Sequence, residues 1–148
     1  MVIAPVITEN TEFTVDCWVY PTQNKTASIW THGDTGASTG TGGSVLTYNG
    51  AWLYYCNGFL IQGGSVSFNK WQHLALVGTK TAIHLYVDGV LIGSTSGSYN
   101  FGSLNEIIGA NVSSAGTENF AGYIDELRIS NIARWTANFT PPTEPYKA

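Results

Sequence analysis

The sequence predicts an all-β chain, an antiparallel β-sandwich of the jelly-roll kind closed by a short C-terminal helix. Three observations carry that expectation. Apolar and polar residues alternate along several runs. Strand-like runs recur roughly every 8–12 residues with turn residues between them. Asn-Gly and Asp-Gly pairs join neighbouring runs, and such pairs close tight hairpins because both central positions need positive φ.

Taken in order, Phe13–Tyr20 alternates cleanly: Phe13, Val15, Cys17 and Val19 on one face, Thr14, Asp16, Trp18 and Tyr20 on the other. Pro21 ends it. Short strands follow at Ala27–Thr31, Ser44–Tyr48, Trp52–Cys56 and Phe59–Gln62, with Asn49-Gly50 and Asn57-Gly58 as the turns of a meander. The Gly/Ser/Thr stretch Gly33–Ser44 lies between strand-like runs and reads as a long loop inside one domain, residues 1–148. Trp71–Gly78 is apolar enough for a helix. Its alternating neighbour Ala82–Val87, turning at Asp88-Gly89 into Val90–Ser94, makes a hairpin the better reading. Glu106–Ala110 and Phe120–Ser130 supply the last strands. Asn131–Asn138 alone has helical character, stopped by Pro141-Pro142.

Composition narrows the function. Charged residues are 11% of the 148, against roughly 25% in an average globular protein, while 43% are hydrophobic and 13% aromatic, enough for a core. Net charge is −4 with six Lys plus Arg, so no basic patch stands ready for nucleic acid or an anionic bilayer. No apolar run approaches the roughly 18 residues of a membrane span, and MVIAPVITENTEF lacks the basic and apolar regions of a signal peptide. Cys17 and Cys56 allow at most one disulfide; two buried free thiols is the favoured alternative.

The run NKWQHLALVGTKTAIHLYVDGVLIGS resembles the hallmark hairpin of laminin-G-like jelly rolls, part of the concanavalin A-like lectin/glucanase group. Its matching residues are Trp71, His73, Tyr86, Val87, Asp88 and Gly89. FTVDCWVYPT resembles the family's early strand. FAGYIDELRISNIARWTANFTPP resembles its closing strand and C-terminal helix, most like versions in bacteriophage tail and virion-associated proteins. The resemblance spans roughly residues 2–146. The family usually opens with a further strand before the segment matching Val2–Pro5. Its absence leads us to expect a trimmed domain, or an edge completed by another segment or subunit.

The resemblance implies two chemistries to weigh. Glucanases of this fold place acidic residues at alternate positions of one strand, so that acid and nucleophile face the same sugar. Glu12 and Asp16 lack a third carboxylate at that spacing, and the adjacent Asp125 and Glu126 should point to opposite faces of a strand, so no enzyme is expected. Relatives often hold calcium at the loop rim. Asp34 and Asp125 are the candidate ligands, with a solvated turn residue and a carboxylate bonded to backbone as the plain alternatives. His73 and His84 should lie on paired strands and could come near each other, though each reads as structural before it reads as a zinc ligand.

Sugar binding needs aromatic faces with amides and hydroxyls beside them. Trp30, His32, Trp52, Tyr54 and Asn57 flank the Gly-rich loop and are the candidate ligand-binding set, with Trp52 and Tyr54 on one face and Tyr55 on the other. Trp18, Trp71 and Trp135 read as packing. The leading expectation is a non-catalytic module binding a glycan or another surface ligand, extracellular or on a virion surface, on a phage particle or bacterial exterior. The alternative is a purely structural virion, tail or fibre component acting through protein partners.

Overall fold

The computed structural model describes residues 1–4, 6–7, 11–33, 43–56, 59–96, 105–111 and 118–147. Eleven strands run through them: β1 (Val2–Ile3), β2 (Phe13–Pro21), β3 (Ala27–His32), β4 (Gly43–Tyr48), β5 (Ala51–Tyr55), β6 (Phe59–Ser65), β7 (Gln72–Gly78), β8 (Ala82–Val87), β9 (Val90–Ser96), β10 (Glu106–Ile108) and β11 (Gly122–Ser130). They form two antiparallel sheets, one in the order β1-β10-β3-β4-β5-β6 and one in the order β11-β2-β7-β8-β9. The sandwich expectation therefore holds.

The alternation of β2 is realised as read: Phe13, Val15, Cys17 and Val19 enter the core between the sheets, with Leu74 and Leu76 of β7, Ile83 and Leu85 of β8, and Ile124, Leu127 and Ile129 of β11. The turn chemistry is equally direct. Asn49 and Gly50 have φ of 50° and 75°, Asp88 and Gly89 of 50° and 77°, so each pair supplies the two left-handed residues of a tight hairpin turn. The Asn57-Gly58 turn lies outside the described residues, as do positions 34–42 of the Gly-rich loop.

Asp88 also ties β7 to the turn. Its Oδ1 accepts the His73 amide at 2.8 Å and its Oδ2 accepts Gln72 Nε2 at 3.2 Å. Gly89 is needed for a second reason: a Cβ there would run into the Phe139 carbonyl, whose own amide donates to Gly89 O at 2.9 Å. The hallmark Tyr-Val-Asp-Gly is thus a folding device.

The C-terminal helix is corrected. Among the described residues, 131–147 form no helix and run as a strap across the outer face of the β11-β2-β7-β8-β9 sheet. Helix nucleation is costly and Pro141 caps the available length at two turns, while the sheet offers this backbone better partners. Thr14 Oγ1 donates to Ile132 O at 2.8 Å and accepts the Arg134 amide at 3.0 Å. Extended, the strap lays both Trp135 and Phe139 over Ala75, Val77 and Tyr86, their rings stacked at 3.9 Å and 6°. No helix of the described residues is long and apolar enough to cross a membrane.

Both cysteines are free, Cys17 buried and Cys56 half-buried. Burial pushes both thiols up, at Cys17 reinforced by the Asp16 charge, at Cys56 partly offset by a hydrogen bond from Tyr54. Native protein treated with iodoacetamide at pH 8 should be alkylated slowly at Cys56 and not at Cys17. Denatured, non-reduced protein should be alkylated at both, and peptide mass mapping reads the difference.

Candidate functional site

Of the residues expected around the Gly-rich loop, Trp30, His32, Trp52 and Tyr54 converge, but in the interior of the sandwich. Val45 lies opposite Tyr54 and Tyr54 opposite Ile61, while Thr47 lies opposite Trp52. Trp52 and Tyr54 do share a face, and it is the core face: Trp30, Trp52 and Tyr54 pack with Val45 and Ile61 in the interior, at most 1% exposed. The expectation of a stacking surface at Trp30, Trp52 and Tyr54 is therefore corrected, since a buried ring offers no face to a sugar. His32 is buried beside them, its Nδ1 2.9 Å from Glu106 Oε1. This pair is sealed within the sandwich, with neither side chain exposed. Asn57 and Asp34 lie outside the described residues.

Asp125 is exposed on β11, and its Oδ1 accepts the amide of Glu126 at 2.9 Å. Among the described residues no three His, Cys, Asp or Glu side chains converge as metal ligands. A bulge at Glu126, with φ 51° and a register shift between Asp125 and Arg128, breaks the alternation of β11. Asp125 stays opposite Trp18 on the outer face, and Glu126 Oε2 reaches the strap, accepting the Tyr146 amide at 2.7 Å. The two do not take opposite faces as expected. His84 pairs with Val77, four residues along β7 from His73, and its Nδ1 lies 2.7 Å from Ser94 Oγ; the two histidines do not meet.

The outer face of the β11-β2-β7-β8-β9 sheet divides into two halves. Under the strap, Asp16 is buried at the centre of a polar cluster. Arg128 Nε and Nη2 donate to its two oxygens at 3.0 and 2.8 Å. His73 Nε2 stands 3.4 Å from Asp16 Oδ2 and 3.0 Å from Tyr146 Oη, and facing two oxygens it is assigned the ring proton. The Arg128 guanidinium lies 3.8 Å from the centre of the Tyr146 ring. Burial pushes the Asp16 carboxyl up, but hydrogen bonds from His73, Arg128 and Tyr146, with the Arg128 charge, pull it further down, to a net value below the usual carboxylate range. Burial and the Asp16 carboxylate hold the Tyr146 phenol protonated. The cluster is a lock for the strap.

Beyond the strap the same face is open. Tyr123 of β11 lies opposite Tyr20 of β2, and Trp71, just before β7, flanks Tyr20 on the other side. Tyr20 meets the Trp71 ring at 5.4 Å and the Tyr123 ring at 5.8 Å, each edge-to-face at 62°. Trp71 is 46% exposed and Tyr123 65%. Trp18, in the next register row, stands edge-on to His73 at 5.3 Å, which joins the open row to the locked half. Sequence reading missed this row. It placed Trp18 and Tyr20 on the face opposite Phe13, Val15, Cys17 and Val19, but took Trp18 and Trp71 for packing and gave Tyr123 no role.

The two antiparallel sheets form a sandwich of the concanavalin A-like kind. The chain belongs to the laminin-G-like family (Laminin_G_3) of the concanavalin A-like lectin/glucanases superfamily, whose model matches residues 2–138. No curated protein matches the chain. Among solved structures it is similar to domain 4 of AbnA, an extracellular arabinanase of Geobacillus stearothermophilus in complex with arabinotriose, at 22% identity and TM-score 0.67, covering 88% of this chain and 65% of that one. It is also similar to the CBM40 of the Ruminococcus gnavus IT-sialidase bound to α2,3-sialyllactose, at 12% identity and TM-score 0.68, covering 92% and 94%. Mouse laminin α1 domains LG4-5 align at 14% identity and TM-score 0.61, covering 97% and 45%. The chain spans just under two thirds of the arabinanase domain and less than half of the laminin pair. At these identities the likeness is one of fold.

Proposed function

We propose that the chain is a non-catalytic glycan-recognition module that works on an exterior surface, that of a phage particle or a bacterial cell. The observation that carries this reading is the open row of Tyr123, Tyr20 and Trp71. Aromatic rings stack on the CH faces of pyranoses, and rings fixed on paired strands lose little freedom on binding. Two solved structures of similar fold hold saccharides, arabinotriose in one and sialyllactose in the other. The non-catalytic part rests on the carboxylates. Asp16 is held by Arg128, Glu106 is sealed with His32, and Asp125 and Glu126 each accept a backbone amide.

The rival reading is a structural component of an assembly. Val90 and Leu91, both exposed, favour it, because β9 is an edge strand and exposed apolar edges pair with other chains. A glycan array separates the two, run with wild type and Trp71→Ala, in calcium and in chelator. Glycan signals that Trp71→Ala lowers about tenfold are expected. Blank arrays together with a stable oligomer in light scattering would favour the structural role. The chelator arm decides whether calcium belongs to the site.

A further inference from the structure

We propose that the Tyr123–Tyr20–Trp71 row binds a neutral, extended oligosaccharide of two or more pyranose units lying across β11, β2 and β7, with the Asp125 carboxylate accepting a sugar hydroxyl. This rests on the glycan reading above and adds the ligand class, its length and its direction.

Length and direction come from the sheet. The two exposed rings flank Tyr20, Tyr123 from β11 and Trp71 from the residue leading into β7, so they stand about two strand spacings apart, roughly 9.5 Å. That is comparable with two linked pyranose rings and too long for one. Each outer ring meets the Tyr20 ring at 62°, which makes them two separate platforms at either end of a line. The line crosses the strands, because Tyr123 of β11 pairs with Tyr20 of β2 and Trp71 directly precedes Gln72, the β7 residue paired with Val19.

Charge follows from what else occupies the face. Asp125 sits two residues from Tyr123 and opposite Trp18, exposed, with one carboxylate oxygen bound to its neighbour's amide. The other oxygen has room for a hydroxyl, and the charge repels a uronate or sialate. Arg128, the cation that follows on the same face of β11, is already bound by both Asp16 oxygens and lies beneath Tyr146. Lys70 precedes Trp71 at the opposite end of the row from Asp125 and is exposed, so the bias against an anionic sugar holds at the Asp125 end.

The test is a calorimetric titration of the whole chain with neutral cello-, manno- and galacto-oligosaccharides of one to four units, and with oligogalacturonides as the anionic series. At least one neutral series should bind, tightening tenfold or more from one unit to two. Trp71→Ala and Tyr123→Ala, both surface changes with folding checked by circular dichroism, should each weaken it about tenfold. Asp125→Asn should weaken the neutral ligand severalfold and narrow its margin over the oligogalacturonide. Affinity that is flat with length, preference for the anionic series, or binding indifferent to both ring deletions would overturn this inference and leave the glycan reading standing. If every saccharide fails and a protein partner is lost with Tyr123→Ala instead, both fall.

Discussion

Replacing Asp16 with Ala is expected to lower stability by about 3–5 kcal/mol and to loosen the C-terminal strap. Asp16 is buried, and it holds both guanidinium donors of Arg128 while facing His73 Nε2. Without it, a largely buried Arg128 charge has no counterion, and His73 and Tyr146 lose their acidic neighbour. Deleting one partner of such a pair costs far more than the pair itself contributes. The double change Asp16→Ala with Arg128→Met should therefore recover part of the loss. Urea unfolding measures the stability. Hydrogen exchange at the Arg134 and Phe139 amides, which bond to Thr14 and Gly89, reports on the strap. A single variant within about 1 kcal/mol of wild type, with those amides still protected, would remove the lock from the account.

The same group sets a pH dependence. Its carboxyl titrates lower in the folded chain than in the unfolded one, so below neutrality the unfolded state takes up the proton first. The Asp16 contribution is whole above the unfolded value of about 3.9 and drains as pH falls through the folded value below it. Stability measured from pH 6 down to pH 2 should fall less steeply in Asp16→Asn than in wild type.

Strand positions were readable because they depend on neighbours in sequence. Period two in β2, and the Asn49-Gly50 and Asp88-Gly89 turns, are local statements, and each is met in the structure. Orientation was readable only where one face is polar. In β5, Trp52 and Tyr54 enter the core, but Leu53 on the opposite face is buried too, so the pattern gave no polar side from which to orient the strand. Glycan candidates placed there landed in the interior for that reason. The open row draws on positions 20, 71 and 123, which become neighbours only through the order β11-β2-β7. The strap was misread for a related reason. Its helical spacing of Trp135 and Phe139 serves a stack on the sheet, and the sheet's free partners, Thr14 and Gly89, lie far away in sequence.

Trp52 tests that reassignment most sharply. Trp52→Ala is expected to cost about 3–5 kcal/mol, because a buried indole is removed from a core that refills only in part. Its Nε1 has no hydrogen-bond partner among the described residues, so Trp52→Phe removes an unsatisfied donor along with some packing and should cost only about 1–2 kcal/mol. The phenyl variant should also keep wild-type glycan affinity. Trp71→Phe and Trp71→Ala should show the reverse, binding that declines with ring area while the urea midpoint barely moves, since Trp71 is half out of the fold. Were Trp52 a ligand platform reached through some opening of the sandwich, Trp52→Phe would weaken binding by more than its loss of stability could explain. Titrating both phenyl variants with one saccharide, beside their unfolding curves, separates a ring that holds the fold from a ring that holds the ligand.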